Sequence, residues 1–223
     1  MRSAKADVTT RDRIRDAAML RFARDGFGAS VRSIATDSGV SPALVIHHVG
    51  SKDELRAECD EWMLAEIRAV KNETIDELSS GQSILHRFAA ADEYEPMLGY
   101  VLRSLQGGGP VSRTFIEQMI DDAVGYTKHG VEAGLIKPSR DETARARYLV
   151  LSALGSLMLE LTLNPSQDPT DLSGTVRGFL ETSYLPMIEL YTQGVFTTRR
   201  MLDDYLLYVP DPPQDGAAEP ASP

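Results

Sequence analysis

Gly26, Gly39 and Gly50 cut the first fifty residues into segments too short for anything but brief helices joined by tight turns. No alternation of apolar and polar residues is long enough to form a strand, here or further along the chain. The apolar residues recur at helical spacing instead. Ile14, Ala17, Ala18 and Phe22 share one face of a first helix, expected from about Val8 or Arg11 to Asp25. Thr9 or Thr10 can cap it, and Gly26 can end it in a left-handed conformation. Val31, Ile34 and Ala35 point inward from a second helix that follows Ser30 and stops at Gly39. A third opens at Ser41-Pro42, a hydroxyl N-cap followed by a proline whose missing N–H costs nothing there, and ends near Val49–Gly50.

The rest of the chain also reads as helix. Ser51 and Glu54 have the spacing of a capping box that opens a long helix to about Leu78. Shorter helices are expected near 83–91 and 96–105, then a loop at Gly107-Gly108-Gly109-Pro110, then a helix over about 111–133. Ser139 and Glu142 form a second capping-box pattern ahead of an apolar helix from Ala144 to Leu163. Another helix is expected over about 169–193, kinked by Pro186, and an amphipathic segment over 198–208. The tail from 209 to 223 lacks the residues to bury a core and is expected to be disordered. The fold class is therefore all-α.

Charge separates the two ends of the chain. The 223 residues carry a net charge of −10, which alone would argue against a nucleic-acid partner. Residues 1–56, however, hold ten Lys+Arg against seven Asp+Glu, and the remainder holds thirteen against twenty-six. Only the first quarter is electrostatically suited to phosphate.

Other classes lack support. No nucleophile elbow, phosphate loop or dinucleotide fingerprint appears, and no predicted strand precedes the triple glycine, so neither an enzyme nor a cofactor is expected. His47 and His48 are adjacent and cannot share a helix face as metal ligands do, while His86 and His129 are isolated, so no metal is expected. The first residues have no apolar core of a secretory signal, and no run of about 18 apolar residues suggests a membrane span. Cys59 is the single cysteine, which rules out an intramolecular disulfide and fits a reducing cytoplasm.

Three short helices with a glycine-containing turn, Asp37-Ser38-Gly39-Val40-Ser41, match a helix-turn-helix. Val40 fits between the helices, and Ile34, Ala35, Val40, Val45 and Val49 would form the small core that sets the angle of the third. The stretches GFGASVRSIATDSGVS and HHVGSKDEL resemble the DNA-binding domain of the tetracycline-repressor (TetR) family over residues 9–69. The resemblance lies in a Gly-aromatic pair after the first helix, Val-Arg-x-Ile-Ala, Gly-Val-Ser, and a His-rich end to the third helix before Ser-Lys-x-x-Leu. Beyond that quarter the chain is similar to the family only in length, helical content and two long late helices.

The resemblance implies a DNA-binding domain at 9–56 and a ligand-binding and dimerisation domain at 57–208. It implies that Arg32 reaches a base edge or a phosphate, and that Pro42, Ala43 and Leu44 lie where the recognition helix meets base edges; the free N–H groups at the Ser41 cap would face phosphate favourably. It implies that His47 and His48 meet phosphate or base and that Lys52 meets the phosphate backbone. Two residues depart from the pattern. Ile46 stands where the family usually has a tyrosine that contacts phosphate, and Val49 where it has phenylalanine. The first swap removes an expected backbone contact; the second only reshapes the small core.

On the later helices Phe88, Met97, Tyr100, Phe115, Met119, Tyr126 and Met158 are divided between core and a ligand cavity. Leu149, Val150, Ala153, Leu154, Leu157, Met158 and Leu161 wrap so much of the 144–163 helix that it needs a second partner surface. The family implies that partner: the last two long helices of each subunit in a homodimer. The implied function is a repressor released from a near-palindromic double-stranded DNA operator by a small-molecule effector.

Overall fold

The computed structural model describes residues 9–164 and 172–209, and among them it is helical throughout with short connections. Helix α1 (Thr10–Asp25) begins with a complete capping box: the Thr9 hydroxyl accepts from Asp12 N, and the Asp12 carboxylate accepts from Thr9 N. Helix α2 (Val31–Ser38) is capped by Ser30 and α3 (Pro42–Val49) by Ser41, whose hydroxyl accepts from Leu44 N at 3.2 Å. Each hydroxyl satisfies an N–H that the first helical turn leaves without a partner. Gly39 joins α2 to α3 in the left-handed region at φ 68°, where a side chain would be strained.

Helix α4 (Lys52–Ser79) follows Gly50, another left-sided glycine at φ 78°. Ser51 accepts from Glu54 N as expected, but the reciprocal bond is absent, because Ser51 N turns back to Val49 O. The Glu54 carboxylate instead lies over Gly50, so close that any side chain there would collide with it.

A short α5 (Leu85–Ala89) and a 3-10 turn (Ala91–Tyr94) lead into α6 (Glu95–Gly107). The expected glycine loop is reduced to one residue. Gly107 ends α6, Gly109 starts α7 (Gly109–Glu132), and Gly108 alone turns the corner at φ 61°. Positive φ at both Gly108 and Gly109 lets the chain reverse without a longer loop. Helix α8 (Glu142–Leu163) starts from Asp141, whose carboxylate caps Ala144 N, and not from Ser139. Glu142 still accepts from Ser139 N at 2.7 Å, so the pair closes a turn across the start of the helix. Helix α9 (Leu172–Gln193) continues through Pro186, and α10 (Arg200–Leu206) closes the described chain. The expectation of a disordered tail concerns residues that, from 210 onward, lie outside the described ones.

One apolar cluster runs without a break from Ile14, Phe22, Ile34 and Val45 through Leu55 and Met63 to Tyr100, Phe115 and Leu154. Burial of each large side chain contributes roughly 1.5–3 kcal/mol. Helix α8 differs from the rest. Ala146, Val150, Leu154 and Leu157 are buried, whereas Leu159 is 64% and Leu163 74% exposed. Among the described residues it is the one helix long and apolar enough, by length and composition, to cross a membrane. Ser152, Gly155 and Ser156 interrupt its aliphatic residues, so it holds no unbroken apolar run of that length.

Candidate nucleic-acid interface

Helix α3 buries only Val45 and Val49, which dock it onto α1, α2 and α4. Ser41, Pro42, Ala43, Leu44, Ile46 and His47 remain exposed. His48 is half-buried and meets the His47 ring edge-on at 5.6 Å. Val40 is partly buried against the same core as Ile34 and Ala35, filling the angle between α2 and α3. The helix thus presents a mainly apolar outer face whose N-terminal N–H groups carry partial positive charge.

The charges around this face divide into two groups. Arg11 pairs with Glu58, Arg15 with Asp12 and Asp16, Arg24 with Asp25, and Arg56 with Asp60. Arg21 bridges α1 to α2, holding Asp37 at 2.6 Å and Asp25 at 2.9 Å. Hydrogen bonds from Arg24 and Arg21 draw the Asp25 carboxyl down to about 2, and Arg21 lowers that of Asp37. Arg13 is tied to the Thr10 hydroxyl. Arg32, exposed at the start of α2, and Lys52, half-buried at the start of α4, enter no ion pair among the described residues. The excess positive charge of the first quarter is therefore not consumed internally at these two positions.

Behind the interface, α6 packs along α1 and touches α4 through Tyr100. Arg103 donates from Nε to Ala23 O at 3.2 Å and from Nη2 to Arg24 O at 2.9 Å. These are carbonyls of the last turn of α1, which the helix itself leaves open. Tyr100, fully buried, meets Phe27 edge-on at 5.5 Å and donates its hydroxyl to Asp60 Oδ1 at 2.6 Å. Arg56 lies over the other side of the group, stacked on Phe27 and 3.4 Å from Asp60 Oδ2. Burial pushes the Asp60 carboxyl up, opposed by the Tyr100 hydrogen bond and the Arg56 charge. Burial also raises the Cys59 thiol, which keeps this lone cysteine protonated and unreactive.

Of the residues divided between core and cavity, Tyr100 and Phe115 are buried and Met97, Met119, Tyr126 and Met158 are partly buried. The side chain of Phe88 lies outside the described ones. Neither Arg103 nor Asp60 stood out in the sequence. A buried aspartate on α4 one turn before Leu64 was the available signal, but its partner lies forty positions away.

Residues 14–59 match the bacterial regulatory proteins of the tetR family, and residues 92–197 match the tetracyclin repressor-like C-terminal domain. The chain is 41% identical over 206 residues to the HTH-type transcriptional regulatory protein RaaS of Mycobacterium tuberculosis, covering 92% of this chain and 95% of that protein. In overall fold it is similar to a Clostridium perfringens protein assigned to regulation of fatty acid metabolism, at 18% identity and a TM-score of 0.52 over 83% of this chain and all of the other. It is likewise similar to GusR of Salmonella enterica, at 20% identity and a TM-score of 0.50 over 81% of this chain and 98% of that one. The chain belongs to the TetR family and is a DNA-binding transcriptional regulator.

Proposed function

We propose that the chain is a homodimeric repressor that leaves a near-palindromic operator when a small molecule occupies its C-terminal part. The observation that carries the DNA reading is the pair of cations with no ion pair among the described residues, Arg32 on α2 and Lys52 at the start of α4, on the helices that precede and follow the exposed α3. In this reading Lys52 holds phosphate, and Arg32 meets a base edge or phosphate. Pro42, Ala43 and Leu44 make apolar contact with thymine methyls. Ser41 lends the α3 N-terminus to a phosphate, and His47 with His48 completes the contact. Residues 9–56 form the DNA-reading unit and 57–208 the sensing and dimerisation unit. Such a protein acts in the cytoplasm, where its operator is.

The exposed apolar faces of α8 and α9 support the dimer. Tyr148, Leu159 and Leu163 on α8 and Leu185, Leu190 and Tyr191 on α9 present more apolar surface than a lone subunit keeps in water. A two-fold dimer sets its recognition helices about 34–36 Å apart, one turn of DNA. An effector that binds one arrangement of the dimer better than the other shifts the population away from that spacing.

Fluorescence anisotropy with DNA from upstream of the gene, across a salt series and against random DNA, tests the reading. Salt-sensitive binding that exceeds random DNA by orders of magnitude supports it. Equal, weak binding to both, and to sequences enriched by random selection, would overturn it.

A further inference from the structure

Beyond Gly194 the chain is apolar and exposed. Val195 and Phe196 lead from the end of α9 towards α10, where Met201, Leu202 and Tyr205 are exposed as well. Leu207 and Tyr208 follow at 88% and 85% exposure. At about 100° per residue, Met201, Leu202, Tyr205 and Leu206 fall within about 140° of the helix circumference. The opposite arc holds Arg199 and Arg200, paired one turn further on with Asp203 and Asp204. The apolar arc is therefore uncharged, and the charges beside it are already matched.

Helix α10 has seven residues. Isolated helices shorter than roughly 12–15 residues are marginal in water, so packing has to hold this one. Its own subunit supplies little. Among the described residues, the hydrogen bonds and ion pairs of 199–209 all lie within that stretch. The segment does not cover the apolar residues of its own α8 and α9 either, because Leu159, Leu163, Leu185 and Tyr191 stay exposed. The exposed apolar surface instead runs on along the chain, from Leu190 and Tyr191 near the end of α9 through Val195 and Phe196 to α10. Helix α10 also lies beyond residue 197, where the match to the family's C-terminal domain ends.

We propose that residues 195–208 form an arm whose apolar arc is covered by a second copy of the chain: in the dimer, each arm lays Met201, Leu202 and Tyr205 against the exposed apolar residues of α8 and α9 on the other subunit. This rests on the dimer reading above. An uncharged arc with its flanking charges matched suits an apolar surface and offers nothing to a charged one. The arm leaves from the end of α9, so it extends the same face that the dimer reading already covers. A two-fold axis makes the exchange reciprocal, and both arms are used up within one closed dimer.

The test places the photocrosslinker benzoylphenylalanine at Tyr205 in the full chain. Illumination should yield a covalent dimer, with the crosslink mapped to α8 or α9 of the other subunit. Met201→Glu and Tyr205→Glu together should weaken the dimer at least about tenfold in sedimentation equilibrium. Both residues are exposed within one subunit, so the helical content of that variant should be unchanged. Crosslinks confined to one chain, crosslinks to neither, or a double variant that dimerises as tightly as the wild type would overturn the arm. The two readings fail separately. A wild type that sediments as a monomer sinks the dimer and the arm with it. A dimer that Leu159→Glu dissociates and the double variant leaves untouched sinks the arm alone.

Discussion

The Tyr100 hydroxyl donates to Asp60 at 2.6 Å across the junction of α6 and α4, beneath the ring of Phe27. A buried carboxylate with this one strong donor is poorly compensated when the donor is removed. Tyr100→Phe is expected to cost about 1–3 kcal/mol, read as a lower urea midpoint at unchanged slope. A loss under about 0.5 kcal/mol would mean that Arg56 alone satisfies the carboxylate.

The same aspartate gives a pH signature. Burial raises its folded pKa above the unfolded value of about 3.9, so its contribution is fully present below that value and is lost as pH rises through the folded one. The stability difference between wild type and Asp60→Asn should therefore move in favour of the variant between acid and neutral pH. Urea midpoints across that range check the sign, and movement the opposite way would contradict the burial assignment.

The Arg21 bridge between α1 and α2 has the reverse dependence. Its partners Asp25 and Asp37 are depressed in the folded protein, Asp25 to about 2. Their contribution is present above the unfolded value of about 3.9 and lost as pH falls through the folded one. Arg21→Met should lower thermal stability at neutral pH, and the gap to wild type should close as pH approaches 2. A gap independent of pH would assign the effect to packing of the arginine stem.

Arg32 and Lys52 should fail differently on DNA. Arg32→Ala is expected to lose about 1–3 kcal/mol of discrimination at one operator position if it reads a base, with the dimer intact. Lys52→Ala should weaken operator and random DNA alike and flatten the salt slope by about one unit. Anisotropy titrations across salt distinguish the two, and a loss confined to one base pair for Lys52→Ala would contradict its phosphate role.

Leu159, on the exposed side of α8, offers a test of assembly that leaves the buried core untouched. Leu159→Glu should shift the protein from dimer to monomer in sedimentation velocity and weaken operator binding with it. A dimer of unchanged stability would place the interface elsewhere.

The N-terminal quarter was largely legible in the sequence because its signals are local. Ser30, Ser41 and Ser51 cap within three residues, and Gly39 marks a backbone angle that few other residues adopt. The C-terminal connections were less so. Gly107 to Gly109 read as a loop because three glycines disfavour helix, yet packing between α6 and α7 overrides propensity for two of them. Ser139 and Asp141 are both good caps, and nothing short of the backbone path decides which one is used. The Arg103 contacts span some eighty positions, a distance at which composition and spacing are silent.

Those contacts also have a mechanical meaning. A rigid body attached at one place can swivel in any direction, one attached at two can turn only about the line that joins them, and one attached at three or more places out of line moves only with what holds it. The N-terminal helices are attached to the rest of the chain covalently where α3 passes into α4, and non-covalently through the Arg103 fork at the end of α1, the Arg11–Glu58 pair, the Phe27–Tyr100 contact and the shared apolar cluster. Held at several places that do not lie on one line, the N-terminal helices follow α6 and do not swivel on it, and Arg103 couples the end of α1 to that helix.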